Sequence, residues 1–172
     1  MKTIVFLATI SIFRMGGEIE VADAPNGAVL RTMGGNIRVS RGAGKIVAKT
    51  MGGNIDIHRL EGSADAGTMG GEISVTVVGS GGGHDLDLHS MGGDIELFLP
   101  PDFSGDFAVE LIDENDNEPH HITSDFPLQV RESTDWRFFQ RRRVTTATGR
   151  SGAAMNTVKI RTHGSNIKIR KR

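Results

Sequence analysis

The chain has 172 residues, a length that favours one domain with a continuous core, and its 20 Lys plus Arg nearly balance 21 Asp plus Glu. This near-neutral charge excludes a globally basic nucleic-acid binder, so no nucleic-acid partner is expected. Cysteine is absent, which excludes disulfide scaffolds, thiolate metal sites and cysteine nucleophiles.

A short repeat organises the chain. Met-Gly-Gly recurs in MGGEIEV from Met15, MGGNIRV from Met33, MGGNIDI from Met51, MGGEISV from Met69 and MGGDIEL from Met91. The first three intervals are 18 residues and the fourth is 22, with the extra residues in GSGGG (79–83). A degraded copy, IRTHGSNIKI, starts at Ile160 and carries His163 in place of Met. Such a fixed period is typical of repeat architectures.

The segment before the first Met-Gly-Gly has two possible interpretations. Lys2 followed by TIVFLATISIF resembles a signal peptide with a short apolar core, which makes a cleaved signal one alternative. Ile10 and Ile12, however, fall in register with Ala28 and Leu30, so we expect a first strand here. No apolar stretch in the sequence is long enough to span a membrane.

Each repeat is predicted to form two short strands around its Gly pair. Alternating apolar residues follow the pair at Ile19 and Val21, Ile37 and Val39, Ile55 and Ile57, Ile73 and Val75, and Ile95 and Leu97. A second alternating stretch precedes each Met. This period of two indicates one buried and one exposed face. The Gly pair is predicted to make the bend, with a positive φ in Gly52 or Gly53.

Stacking of the repeats would bury a shared apolar core, because neither strand can bury its apolar face alone. The fold class predicted is all-β, a single-stranded parallel β-helix with about 18 residues per coil. Ile37, Ile55, Ile73 and Ile95 should then form one buried column, and Asn36 and Asn54 an amide ladder. The outward column would be Glu20, Arg38, Asp56, Ser74 and Glu96. A meander of antiparallel hairpins is the competing architecture.

The sequence predicts a single β-solenoid domain over 1–172. Regular repeats occupy 1–97, an irregular coil with long loops 98–155, and a terminal coil 156–172. In the irregular coil two alternating stretches are expected to be strands: Phe107, Val109 and Leu111, and then Phe126, Leu128 and Val130. The corner between them is expanded into IDENDNEPHHITS (112–124), and the charged tail KIRKR (168–172) is expected to cover one end of the stack.

The chain resembles a bacterial adhesin-like family of β-strand-repeat proteins, a toastrack-like domain of unknown function. The resemblance rests on the TMGGxIxV units, IELFLPPDFSGDF (95–107), SDFPL (124–128) and VKIRTHGSNIKIRKR (158–172). It implies a cell-envelope or exported location, a binding or scaffolding role and no established catalytic residues. This sequence lacks a clear export signal, so a cytoplasmic location is the alternative.

Two local motifs each have a functional and a plainer interpretation. DENDNEP (113–119) has the form of a cadherin calcium linker, and Asp113, Asn115, Asp116 and Asn117 could supply oxygen ligands, but a solvated acidic turn between strands is favoured. WRFFQRRR (136–143) combines aromatic and basic residues. Trp136, Phe138 and Phe139 are expected to pack over the solenoid with Arg141 to Arg143 solvated. If a surface binds a partner, this segment is the first choice.

Candidate polar sites are weak. His84 and His89 have opposite parity on their strand and should face different ways, as should His120 and His121. Asp85 and Asp87 are the nearest carboxylate pair, and no Ser/His/Asp set or phosphate-binding glycine loop is present.

The prediction is therefore a non-enzymatic structural or binding module of the bacterial cell envelope. It has no catalytic residue, cofactor or metal site, and its partner is a protein or glycan. A carbohydrate-active β-helix enzyme and a calcium-dependent binding module are the alternatives.

Overall fold

A computed structural model describes residues 9–79, 83–114, 120–137, 140–153 and 155–172, and all regular structure in these residues is β-strand. The strands are β1 (Ile10–Arg14), β2 (Ile19–Ala24), β3 (Ala28–Thr32), β4 (Ile37–Gly42), β5 (Lys45–Lys49), β6 (Ile55–Leu60), β7 (Ser63–Thr68), β8 (Ile73–Val77), β9 (Asp85–Ser90), β10 (Ile95–Leu99), β11 (Gly105–Asp113), β12 (Ile122–Ser124), β13 (Gln129–Arg137), β14 (Gln140–Ser151), β15 (Asn156–His163) and β16 (Ile167–Lys171).

These strands form two sheets. The first sheet has the order β1-β3-β5-β7-β9-β15-β11-β14-β13, and the second has the order β12-β16-β10-β8-β6-β4-β2. From β1 to β10 the chain alternates between the sheets, and neighbouring strands within each sheet are parallel. The antiparallel meander is wrong for these repeats, because hairpins would place consecutive strands side by side. The all-β class with parallel sheets of short strands is confirmed and is compatible with a β-helix.

One hydrophobic core lies between the sheets, built from the inward residues of both. Ile37, Ile55, Ile73 and Ile95 occupy equivalent positions on adjacent strands, and each is at most 1% exposed. The predicted isoleucine column is therefore confirmed. β-branched residues suit this position because they pack well against equivalent neighbours on a pleated surface.

The strand predicted before the first Met-Gly-Gly is also present. β1 pairs with β3 in the expected register, with Ile10 opposite Ala28 and Ile12 opposite Leu30. The extra residues predicted at 79–83 fall between β8 and β9, so the insertion leaves the strand pairing on both sides intact.

The predicted reason for the Gly-Gly corner is wrong. Neither Gly52 nor Gly53 has a positive φ. A Cβ added to Gly53 would instead collide with the carbonyl oxygen of Gly35 in the preceding repeat, and the same collision recurs at Gly35, Gly71 and Gly93. Gly17 of the first corner differs, because it has a φ of 90° and no such backbone contact. At the other Met-Gly-Gly corners glycine is needed because the backbones of successive corners lie in contact, not because the chain adopts a left-handed conformation.

Hydroxyl groups inside the corners link successive repeats. The Thr68 hydroxyl donates to the carbonyl oxygen of Gly53 at 2.9 Å and accepts from the backbone N–H of Gly71 at 3.1 Å. The same bridge recurs at Thr50 and Ser90. Because these side chains are buried, each bridge satisfies groups that would otherwise be unpaired away from water.

Polar columns run along the outside. Asn36 and Asn54 occupy equivalent corner positions, but their hydrogen bonds join side chain to backbone and not amide to amide. The amide oxygen of Asn36 accepts from the backbone N–H of Asn54, and that of Asn54 from the backbone N–H of Glu72, each at 2.9 Å. The predicted outward charged column is in register as well. Within it, Arg38 forms its ion pair at 3.5 Å with Glu18, a residue outside that column.

The position predicted for the charged tail is wrong. β16, which contains most of KIRKR, lies between β10 and β12 inside the second sheet, and β15 lies between β9 and β11 inside the first. Both strands have parallel partners on each side, although β12 pairs only with the first three residues of β16, and their apolar residues are buried. Beyond β11 the first sheet ends in the antiparallel hairpin β13–β14.

The irregular segment follows the prediction only in its first half. β11 carries Phe107, Val109 and Leu111 into the core as expected. The second strand of this unit is β12, not the stretch from Phe126 to Val130. Phe126 precedes β13 and stacks 5.3 Å from Phe107, whereas Val130 is exposed on β13. The aromatic contact, rather than a strand ladder, explains why Phe126 is buried.

Candidate functional site

A groove crosses the outer face of the first sheet at β9, β15, β11 and β14 and encloses about 650 Å³. That volume is within the range of ligand sites in proteins. Its residues point outward because their strand neighbours, such as Leu88 and Ile160, are buried in the core. The outward lining residues are Asp87, His89, Met91, Ala108, Glu110, Thr146, Thr148, Lys159, Arg161 and His163.

The groove exists because short side chains lie between long ones. Ala108 has Lys159 as its cross-strand neighbour on one side and Thr148 on the other. Thr146 continues the low floor along β14, while Lys159 and Arg161 rise from β15. The floor therefore belongs to β11 and the hairpin strand β14, and one wall belongs to the terminal copy of the repeat.

Charged groups in the groove are only partly paired. Arg161 Nε donates to Glu110 Oε2 at 2.8 Å, which closes one pair across β15 and β11. Lys159 and Asp87 are cross-strand neighbours on β15 and β9. Neither forms an ion pair or a side-chain hydrogen bond within the described ranges, so an ammonium donor and a carboxylate acceptor both face the opening.

His89 lies on the groove wall beside a position that has no side chain. Its ring lies over Gly67 of β7, where an added Cβ would collide with the ring atoms. Burial lowers the pKa of His89 below its ordinary value of 6.5, and the positive charge of Lys49 lowers it further. The imidazole is therefore neutral at neutral pH.

A second depression of about 360 Å³ adjoins the groove and shares Asp87 and Lys159 with it. The predicted carboxylate pair lies here, since Asp85 and Asp87 both point outward from β9 and are exposed. Asp65 is opposite Asp87 but forms an ion pair with Lys49. In the described part of the chain no side chain hydrogen-bonds to either carboxylate of the pair. The arrangement suits ligand binding better than positioned proton transfer.

Exposed methionines form a line along the corner edge. The methionine column comprises Met15, Met33, Met51, Met69 and Met91, which have exposed fractions of 85%, 50%, 49%, 50% and 55%. The Met91 end also lines the groove. In the sequence these residues mark the repeat and predict no site. The sequence signal for a site is that methionine, a flexible thioether, recurs at the same corner position of every regular repeat. Packing does not require methionine at an exposed corner.

The structure describes only part of the candidate calcium loop. Asp113 is buried at the end of β11, and its carboxylate is 2.6 Å from Nδ1 of His120. It also accepts, at 3.4 Å, a hydrogen bond from the His120 backbone N–H. Asn115, Asp116 and Asn117 lie outside the described residues, so calcium binding by this loop stays untested.

His84 and His89 face different ways, as the sequence predicted. His84 is buried with its Nδ1 2.8 Å from the carbonyl oxygen of Gly62, whereas His89 is exposed on the opposite face. His120 contacts Asp113, and the backbone of His121 donates to the Asn166 side chain. Over the described ranges, no three His, Asp or Glu side chains are grouped to hold a metal ion.

The aromatic and basic segment is described only in part. Its described backbone lies at the paired ends of β13 and β14, where Trp136 pairs with Arg141 and Arg137 with Gln140. Phe138 and Phe139 lie outside the described residues, as does the predicted packing of the Trp136 side chain. Beyond the turn, the Arg142 guanidinium is 3.3 Å from Nε2 of His163 at the edge of the groove.

Two further findings bear on function. Among the residues that the structure describes, none belongs to a helix with the length and apolar character needed to cross a membrane. No family model, curated protein or solved structure matches this chain.

Proposed function

We propose that the two sheets form a parallel β-helix, a single domain with about 18 residues per coil. Three features support this proposal. Consecutive strands alternate between the two sheets, equivalent residues of successive repeats pair in register, and both sheets enclose one core. A hydrogen bond also joins Asn36 to Asn54, which are 18 residues apart, and this separation equals the proposed coil length.

On this framework the proposed function is a non-enzymatic structural or binding module, adhesin-like in that it presents a surface to a glycan or protein. The groove across β9, β15, β11 and β14 is the observation that carries the proposal. Stacked repeats commonly bind partners on extended outer surfaces of this kind. Lys159, Asp87 and the Thr146 and Thr148 hydroxyls offer donors and acceptors that suit a hydroxyl-rich ligand.

The groove dimensions favour an extended chain over an enclosed small molecule. Four adjacent strands span roughly 14 Å at a spacing of about 4.8 Å. Ala108 and Thr148 form a low floor next to Lys159 on the wall, so sugar rings could lie flat on the floor beside that polar wall. A glycan segment is therefore the first partner class to test, with a protein surface as the alternative outcome.

The location proposed is the bacterial cell envelope. This part of the proposal rests on the resemblance of the TMGGxIxV units and the 158–172 segment to adhesin-like repeat proteins. Fractionation of cells that express the protein from its native gene tests it. Recovery with the envelope supports the proposal, and recovery only in the cytoplasm overturns it.

Filling the groove tests the binding function. Ala108→Trp places a large side chain on the floor, and Val47→Trp places the same side chain on the outer face of β5, away from the groove. The two proteins and the unmodified chain are compared on a glycan array and in pull-downs from envelope fractions. Binding that is lost in Ala108→Trp and kept in Val47→Trp supports the proposal, and equal binding by both variants overturns it.

Two additional variants separate the alternatives. Trp136→Ala tests the aromatic and basic segment: loss of binding here, with Ala108→Trp unaffected, would move the site to the β13–β14 turn. Asp87→Asn tests the carbohydrate-active enzyme. Cleavage of a bound glycan that disappears in Asp87→Asn would replace the binding module by an enzyme, since that carboxylate faces both depressions.

A further inference from the structure

The methionine column has no packing role that requires sulfur. Its five side chains are about half exposed or more, whereas the core positions of the same repeats carry buried aliphatic residues. At Met51, Met69 and Met91 the corner hydrogen bonds come from the Thr or Ser before the Met and from the second Gly after it. Neither core packing nor the corner hydrogen bonds therefore require methionine at this position, so its recurrence is consistent with a binding role.

The backbone spacing of neighbouring corners allows two methionines to share an ion. Thr68 pairs with Ser90 in the parallel ladder, so Met69 and Met91 are neighbours one strand spacing apart, about 4.8 Å. Metal–sulfur bonds in proteins are about 2.3 Å long. Two sulfurs that bind one ion from opposite sides are therefore about 4.6 Å apart. The rotatable bonds of methionine accommodate the difference between this separation and the strand spacing.

Thioether chemistry selects the class of ion. The methionine sulfur is neutral and polarizable, so it favours soft cations such as Cu(I). Calcium and magnesium require oxygen ligands, which the column does not offer. Imidazole is also a ligand for copper.

The charges near the methionine column differ between its two ends, and this difference favours cation binding at the Met91 end. Arg14, Arg31 and Lys49 line the depression around Met15, Met33 and Met51, and they would repel a cation there. In the next two repeats the position equivalent to Lys49 is Gly67 and then His89. The corners beside Met69 and Met91 therefore carry no Lys or Arg at this position. The two cations that flank His89, Lys49 and Arg161, form ion pairs with Asp65 and Glu110.

His89 adds a third candidate ligand. Its ring lies over Gly67, two residues before Met69, and it lines the groove together with Met91. No described residue forms a hydrogen bond with the ring. His163, which follows Met91 in the methionine column, is different because its Nε2 already faces the Arg142 guanidinium at 3.3 Å and its Nδ1 is buried.

We propose that Met69, Met91 and His89 form a binding site for a soft monovalent cation of the Cu(I) class, held by two thioethers and one imidazole. The site lies where the methionine column meets the groove. Its occupation involves no change in the oxidation state of the ion or of the protein. The proposal does not depend on the glycan-binding function, since Ala108 and the threonines of the floor take no part in it.

Silver and copper titrations of the full chain test the site. The protein is labelled with ¹³C in the methionine methyl groups and titrated with Ag(I), an air-stable ion of the same class. Cu(I) is added separately under reducing conditions against a competing chromogenic chelator. We expect the methyl resonances of Met69 and Met91 to shift first, while that of Met155, an exposed methionine outside the column, stays unchanged at one equivalent.

Matched variants decide the assignment. Leucine has nearly the volume of methionine, so Met69→Leu with Met91→Leu keeps the fold and removes both sulfurs. We expect the affinity for Ag(I) to fall at least about 10-fold. Loss of a residue that only hydrogen-bonds to a metal ligand commonly lowers metal affinity by that much. His89→Gln should weaken binding as well, and Met155→Leu should not. Unchanged affinity in the double variant, or a Met155 shift in step with Met69, overturns the proposal.

Discussion

A regular corner and the corner of the terminal copy differ in backbone conformation and in hydrogen bonding, although both stack on a neighbouring corner. In the regular corner after β9, Gly93 lies against the carbonyl oxygen of Gly71 with no room for a Cβ and no positive φ. The Ser90 hydroxyl joins both, donating to the Gly71 carbonyl at 3.1 Å and accepting from the Gly93 N–H at 2.9 Å.

The terminal corner, stacked on that one, admits a side chain where the regular corner does not. Ser165 occupies the position of the second glycine, and Gly164 before it adopts a φ of 62°. The Thr162 hydroxyl, equivalent to that of Ser90, is buried without a hydrogen-bond partner in the described structure. A left-handed residue thus redirects the backbone and accommodates the Cβ, but the bridge to the neighbouring repeat is lost.

The largest effects should be the same in both regions, because both use the same core column. Ile55 lies between Ile37 and Ile73, and Ile167 lies between Ile95 and Ile122. We expect replacement of either Ile55 or Ile167 by Ala to lower the free energy of unfolding by about 2–5 kcal/mol, measured by urea denaturation. A cost below about 1 kcal/mol for Ile167→Ala would place the terminal copy outside the core.

The glycine corner gives the next effect and includes its own control. Gly53→Ala forces a Cβ against the Gly35 backbone and should cost about 1–3 kcal/mol or more. Gly52→Ala, one residue earlier, has open space and no positive φ, so it should change stability by less than about 1 kcal/mol. Equal effects of the two substitutions in thermal unfolding would contradict the close-contact explanation.

The hydroxyl bridge distinguishes the two corners most directly. Thr68→Val leaves the Gly53 carbonyl and the Gly71 N–H without their partner and should cost about 1–3 kcal/mol. Thr162→Val removes a buried hydroxyl that has no partner, so stability should stay unchanged or rise. A comparable loss of stability in both variants would show that the terminal corner is bridged after all.

A smaller effect is expected from His89, beside the regular corners. Lys49, Asp65, Asp87 and Arg161 are the charged groups that act on it. Its pKa is lowered in the folded protein, so the unfolded chain binds the proton more readily. Its contribution to stability is complete above the ordinary value of 6.5 and is lost as the pH falls through the folded pKa. His89→Gln should flatten the stability profile in this range, and an unchanged profile would contradict the burial effect.

No effect is expected from calcium at the expanded corner between β11 and β12. The Asp113 carboxylate already faces His120, and four side chains in one short loop leave an ion under-coordinated. A true site at 100 times its dissociation constant would add about 2.7 kcal/mol and raise the melting temperature by several degrees. A rise that disappears in Asp116→Ala would identify a calcium-dependent module instead.

Much of the regular part could be predicted because repeat spacing and alternation act together. Once 18 residues define a unit, Ile37, Ile55 and Ile73 must share a column, and Asn36 must lie over Asn54. The reason for the glycines could not be predicted. A positive φ and the exclusion of a Cβ select the same residue, and only the contact between Gly53 and Gly35 distinguishes the two causes.

The candidate site was less accessible from the sequence. Lys159 and Ala108 are 51 residues apart and become neighbours only because β15 lies beside β11. An alternating strand pattern is compatible with any open strand edge. It therefore does not indicate which strands pair with β15 and β16, the terminal copy of the repeat. The methionine column, in contrast, was visible as a repeat, but its exposure depends on how the corners stack.

The placement of β15 and β16 has a consequence for synthesis on the ribosome. Domains fold as the chain emerges, N-terminal parts first, so β1 to β10 can assemble while the remainder is still being made. β11 and β12 then have no parallel partner in either sheet until the last two strands arrive between them and β9 and β10. During that interval the edges of β9 and β10 are open to pairing with other chains. Translation that stops before β15 would therefore release an aggregation-prone protein with open strand edges, although it lacks only the last two strands.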